Sequence, residues 1–146
     1  MAGRITLWGA GQMLNAHFGK SADIPANYYL AMIRKIPPTP YVSGAELDEP
    51  EGLGYTRAVI PNNLTYWSNA GQIQVSVLNS DVVYAPATGD WGDLKYWALC
   101  NAEVEGYVYF IGSLESQIRI NNTDSLIVGA GDLGVTVGPF FTSEDA

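Results

Sequence analysis

The feature that most constrains this chain is a run of short apolar stretches at close spacing, each bounded by residues that reverse the backbone. Stretches at 55–60, 72–78, 82–84, 94–100, 106–114, 117–120, 124–128 and 133–137 are rich in β-branched and aromatic residues, which favour a pleated, half-buried surface. Between them stand Asn62-Asn63, Asn79-Ser80-Asp81, Thr88-Gly89-Asp90, Asn121-Asn122 and the glycine-rich segment 129–132, all of which suit tight turns. Residues 117–120 alternate cleanly, with Ile118 and Ile120 on one face and Gln117 and Arg119 on the other. Strands that short cannot bury their apolar faces singly, and no helical period separates them. The pattern predicts an all-β fold, an antiparallel β-sandwich of jelly-roll-like form.

The N-terminal segment reads differently. Leu7, Ala10, Leu14 and His17 or Phe18 recur at helical spacing over residues 5–18, with Thr6 placed to cap the start and Gly19 to stop the helix. Gly9 and Gly11 weaken this helix, at about 1 kcal/mol each relative to alanine. Residues 28–33 (Tyr-Tyr-Leu-Ala-Met-Ile) follow as a buried strand. The segment 36–54, with Pro37, Pro38, Pro40 and Pro50 among Glu46, Asp48, Glu49 and Glu51, predicts a long, exposed, acidic loop. The expected organisation is a helix or arm over 1–20 and one β-sandwich domain over 21–146.

Charge narrows the partners. Residues 1–45 set Arg4, Lys20, Arg34 and Lys35 against Asp23, a balance of +3; the rest of the chain sums to −11, for a net charge of −8. An acidic body of this kind does not neutralise phosphates, so nucleic acid is not an expected partner. No stretch approaches the apolar length of a membrane span, and the start has no signal-peptide core. Synthesis and folding in a cytoplasm, away from membranes, is the expectation. With Cys100 the sole cysteine, no disulfide can form within the chain. Its apolar surroundings (Tyr96-Trp97-Ala98-Leu99) point to a buried structural thiol.

A search for catalytic chemistry finds little. His17 is the sole histidine and lies in the helix, and no serine sits in a Gly-x-Ser-x-Gly context. One histidine and one cysteine far apart do not make a transition-metal site. Calcium needs only oxygen ligands, but Asp90 with Asp93, and Asp124 with Asp132, read as turn-forming aspartates. Paired carboxylates for glycoside hydrolysis are available in any chain with 15 acids and carry no signal by themselves. Gly9-Ala10-Gly11 and Gly129-Ala130-Gly131 lack the context of a nucleotide loop, and the sequons at Asn63 and Asn121 match by chance. No cofactor, no metal and no enzymatic activity are expected. The notable excess is aromatic: Trp67, Trp91, Trp97, Tyr96, Tyr107, Tyr109 and Phe110 lie in or beside strands, as core, as interface anchors or as a sugar platform.

Several segments in register carry a resemblance. They are Leu14-Asn15-Ala16-His17-Phe18-Gly19; Tyr28-Tyr29-Leu30-Ala31-Met32 after Pro25; Glu49-Pro50-Glu51-Gly52-Leu53-Gly54-Tyr55-Thr56-Arg57-Ala58-Val59; and Pro86-Ala87-Thr88-Gly89-Asp90-Trp91-Gly92 leading into Tyr96-Trp97-Ala98-Leu99-Cys100-Asn101-Ala102. The last is Ile120-Asn121-Asn122-Thr123-Asp124-Ser125-Leu126 followed by Gly131-Asp132-Leu133-Gly134-Val135-Thr136-Val137. Over nearly its whole length the chain resembles a group of small tailed-phage virion structural proteins, described variously as virion structural, tail fibre or head decoration proteins. It departs from them at Arg34-Lys35-Ile36-Pro37-Pro38 and in the tail 139–146. The resemblance implies a β-rich assembly module of a virion, without catalytic residues.

The leading expectation is therefore a capsid decoration, or cement, protein bound to the major capsid protein as a homo-oligomer, a trimer or dimer. The alternative is a tail or baseplate adaptor, or a tail fibre component, involved in host attachment. Arg4, Trp8, Phe18 and Lys20 are the candidate partner interface, because they join apolar anchors to the basic end of an acidic molecule. On this reading, deleting residues 1–20 abolishes particle binding and leaves a folded β core.

Overall fold

The computed structural model describes residues 2–37, 43–69 and 75–137. Strand β1 (Ala2–Ile5) runs directly into α1 (Leu7–His17) and then β2 (Asn27–Ile33). A single 3-10 turn (Gly44–Glu46) precedes β3 (Ala58–Pro61), β4 (Trp67–Ser68), β5 (Val75–Leu78) and β6 (Val82–Val83). The long pair β7 (Gly92–Cys100) and β8 (Val108–Ile120) follows, then β9 (Ile127–Val128) and β10 (Gly134–Thr136).

Eight strands form one sheet in the order β3-β2-β7-β8-β1-β10-β5-β4, and β6 and β9 form a separate two-stranded ribbon. The all-β class with a short N-terminal helix stands. Two layers arise because this one sheet curls over. Tyr28, on the second strand in that order, meets Trp67, on the last, edge to face at 6.3 Å. Trp91, Trp97, Leu30, Met32, Ile60, Leu78, Leu94, Leu99 and Leu133 fill the space between, all fully buried. Burial of that much apolar surface is the main stabilising term. The sheet is not wholly antiparallel, since β1 pairs in parallel with β10 while pairing antiparallel with β8.

Residues 30–33 of β2 and 97–100 of β7 are buried on both faces. Leu30, Met32, Trp97 and Leu99 point into the main core, while Ala31, Ile33, Ala98 and Cys100 pack with Leu47 and Val108 in a second cluster. That double burial is why these two segments read as unbroken apolar runs rather than alternating ones.

The helix keeps its predicted signals. Thr6 Oγ1 accepts from Gly9 N at 3.1 Å and donates to Val108 O, so one hydroxyl caps α1 and ties it to β8. At the other end Gly19 takes φ +72 and Lys20 N donates to Asn15 O at 2.8 Å, a glycine-closed helix end.

Several predicted boundaries change. The stretches 106–114 and 117–120 are one strand. Tyr96 pairs with Ser113 and Leu94 with Ile118, so Lys95 alone stands opposite residues 114–117, and Glu115-Ser116, which parted the two predicted strands, lies in a bulge of one continuous strand. The 55–60 stretch yields only β3, because Tyr55 and Arg57 send their side chains into a polar network instead of a strand ladder. Of 72–78, residues 72–74 lie outside the described residues. Within 1–20, residues 2–5 are an interior strand. Gly3 packs so close to the Trp97 ring that a Cβ there has no room. Deleting 1–20 therefore removes a strand from the middle of the sheet, and the expectation of an intact β core after that deletion is corrected.

Candidate functional site

Helix α1 buries only Gly9. A Cβ on Gly9 would stand 2.6 Å from Tyr109 O, so a side chain as small as hydrogen is what lets the helix lie on β8. Of the other apolar residues, Trp8 and Ala10 are half-buried, while Leu7, Met13 and Leu14 are exposed and the cap residue Phe18 is 70% exposed. The segment 7–17 contains no Asp, Glu, Lys or Arg. Surface helices ordinarily turn a charged face to water and an apolar stripe to the core. Here the outward side is apolar and uncharged, on a molecule of net charge −8.

The sequence-derived interface residues divide. Trp8, Phe18 and Lys20 belong to α1 and its C-terminal cap. Trp8 is half-buried and stacks on Tyr107 with ring centroids 3.9 Å apart and planes 9° apart. Lys20 is exposed just past Gly19. Arg4 is exposed but sits on β1, beside Gly3, which faces the Trp97 ring; alternation along the strand turns Arg4 the other way. His17 is exposed, with its ring edge-on to Phe18 at 5.2 Å.

Tyr107 leads to a second element that sequence reasoning missed, the tip of the β7–β8 hairpin. Glu103, Val104 and Glu105 are exposed there, Val104 at 74%. The tip is held from beneath by Arg57, whose side chain is 2% exposed. Its Nη1 donates to Ala102 O at 2.9 Å and to Glu105 O at 2.8 Å, and its Nη2 donates to Gly44 O at 3.2 Å. Its Nε and Nη2 also grip both oxygens of Glu49 at 2.9 and 2.8 Å, a bidentate pair. Burial works most strongly against the Arg57 charge, but the Glu49 carboxylate together with Cys100 and Tyr55 outweighs it, and the guanidinium pKa moves up. Tyr55 completes the network, donating to Glu49 Oε1 at 2.6 Å and accepting from Met32 N at 3.0 Å. Burial, then the Tyr84 and Glu49 charges, hold the Tyr55 hydroxyl protonated far above its ordinary range. Arg57 was legible only as a lone base in an acidic stretch.

Asp23 fastens the return from α1 to the base of the same hairpin. Its Oδ2 accepts from Asn101 Nδ2 at 2.9 Å and lies 2.8 Å from the Tyr109 hydroxyl, and its N–H donates to Gln12 Oε1 at 2.8 Å. Burial, with Asp23 adding to it, pushes the Tyr109 hydroxyl up to about 12. Helix and hairpin are thus joined through the Trp8–Tyr107 stack and Asp23, with apolar side chains exposed on the helix and Glu103 and Glu105 exposed at the tip.

Elsewhere the polar groups serve architecture. Cys100 is fully buried and its thiol is pushed up to about 12, chiefly by burial. Asp90 accepts from Asn122 N at 3.0 Å, Asp124 from Asn121 N at 2.9 Å and Asp132 from Gly129 N at 3.0 Å, each closing a turn. No group of three or more metal-ligating side chains occurs among the described residues. A cleft of about 310 Å³ between β8 and β9 is lined by Leu114, Ile118, Leu126 and Val128, with Glu115 and Asp132 at its sides.

A family model described as Podophage GP4 fiber I protein gp80 matches residues 5–136. The chain belongs to that family. The match runs from the end of β1 through the last residue of β10, so it takes in α1, the hairpin tip and the Arg57–Glu49 clamp together. No curated protein matches the chain. In this gp80-family chain the virion structural character expected from the sequence is therefore shown, and the family is one of phage fibre proteins.

Proposed function

We propose that this chain is a non-catalytic structural component of a phage fibre, and that it assembles through the surface built on α1 and the β7–β8 hairpin tip. One observation carries the second clause: a helix with a single buried residue and no charged side chain presents Leu7, Met13, Leu14 and Phe18 outward. Large apolar side chains left exposed together on one uncharged helix mark an interaction site. The fibre assignment draws on the family description, which names a fibre protein and supports the tail fibre alternative beside the head-decoration role first expected.

Particle location tests it. Gold-labelled antibody against this chain is expected on the fibres of intact virions, at the low copy number that tail symmetry allows. Label spread over the head shell at high copy number would restore the decoration role and remove the fibre one. Absence of catalysis is tested at the cleft between β8 and β9. A polysaccharide panel is expected to be left intact; hydrolysis that vanishes in Glu115→Gln or Asp132→Asn would make the chain an enzyme.

A further inference from the structure

We propose that the α1 surface is the contact between two copies of this chain, related by a two-fold axis that sets the two α1 helices antiparallel. The inference rests on reading this surface as the assembly site and names its occupant.

Residues 7, 11, 14 and 18 fall on one line along α1 and its cap. Leu7, Leu14 and Phe18 are exposed on that line, and Gly11 interrupts it midway. Nothing lies within 4 Å of where a Gly11 Cβ would stand, so the ridge carries an open notch at its centre. An apolar ridge with a central notch accepts another helix at close range.

Charge decides which helix. The first turn of α1 lies at the hairpin, through the Trp8–Tyr107 stack, and that end carries Glu103 and Glu105. The far end, roughly 15 Å along the helix, carries Lys20, with His17 beside it. A second copy turned end for end lays its Lys20 on the acidic tip, and the two-fold axis repeats the same pairing at the other end. A copy facing the same way would set base on base and acid on acid, which costs affinity. Antiparallel α1 helices also oppose their macrodipoles. The surface therefore already contains both halves of its own complement.

Sedimentation velocity on the purified full chain tests this. The unaltered chain is expected to form dimers. Leu14→Asp and Phe18→Ser change exposed positions, so the circular dichroism spectrum stays unchanged while the dimer Kd rises by roughly thirtyfold or more. Lys20→Glu alone and Glu103→Lys alone each raise Kd by roughly fivefold. The double variant Lys20→Glu/Glu103→Lys returns Kd close to its original value, as opposed charges exchanged across one contact require. A chain monomeric at every soluble concentration, a dimer indifferent to Leu14→Asp, or a double variant without rescue each overturns the proposal. Particle labelling answers the fibre question independently: a dimer on the head would remove the fibre reading alone, and a monomer on the fibre would remove this one alone.

Discussion

Arg57 organises more of this molecule than any other polar residue, since one guanidinium reaches the loop at Gly44, the carboxylate of Glu49 and two carbonyls of the hairpin tip. Removing one partner of a buried pair leaves the other charge without compensation, at about 3–5 kcal/mol. Arg57→Met is expected to lower unfolding stability by that amount in urea titrations. A loss under about 1 kcal/mol, the range of a surface pair, would show that the clamp contributes little. Cys100 gives the opposite kind of test. Its thiol is buried and held up to about 12, so at pH 8 the native protein is expected to resist maleimide and to react only after denaturation. Rapid labelling of the native chain would place Cys100 in an accessible environment instead. The buried fate of Cys100 was legible from its apolar neighbours. The role of Arg57 was not, because its partners lie 8 to 48 residues away.

At the scale of elements, α1 shows how a glycine acts differently at neighbouring positions. Gly9 touches β8 and Gly11 faces open space. Gly9→Val should force the helix off Tyr109 and destabilise the fold by about 1–3 kcal/mol, the usual range for overpacking. Gly11→Ala should stabilise the dilute monomer by up to about 1 kcal/mol through helix propensity, since nothing in the same chain crowds a Cβ there. Thermal denaturation of the two variants checks the contrast, and equal effects in both would mean that the helix does not rest on β8 through Gly9. The sequence carried the helix signals because capping and stopping are local: Thr6 and Gly19 act within a few residues. The strand β1 escaped notice because four residues, Ala2–Ile5, carry too little pattern to distinguish a strand from a helix approach. The bulge in β8 was hidden for a related reason, since the polar Glu115-Ser116 looks like a gap between two strands until the partner strand is known.

The whole molecule has an alkaline weakness built into its core. Burial raises Cys100 from 9.0 to about 12 and Tyr109 from 10.0 to about 12, and it pushes Tyr28, Tyr55 and Tyr84 up as well. Each group is an acid whose neutral form the fold prefers, so the unfolded chain releases its proton at lower pH than the folded one. Stability from these groups is complete below about pH 9 and declines as pH rises from there through 12. Urea midpoints are expected to stay level from pH 7 to 8.5 and then fall steadily. A midpoint that held constant to pH 12 would mean that these groups are open to solvent. The same enclosed core depends on the curl of the sheet, which brings Tyr28 and Trp67 together from distant strands.

By itself the sequence determined that the chain is β-rich, that one short helix starts at Thr6 and stops at Gly19, and that the strand at 28–33 and Cys100 are buried. These follow from the side-chain period and from turn and cap residues, which act over a few positions. Tertiary structure alone decided that β1 lies between β8 and β10, that one parallel pair interrupts the ladder, and that α1 meets the hairpin tip through Trp8 and Tyr107. Those contacts join residues roughly a hundred positions apart, and no local period records which distant strand a short apolar stretch will choose.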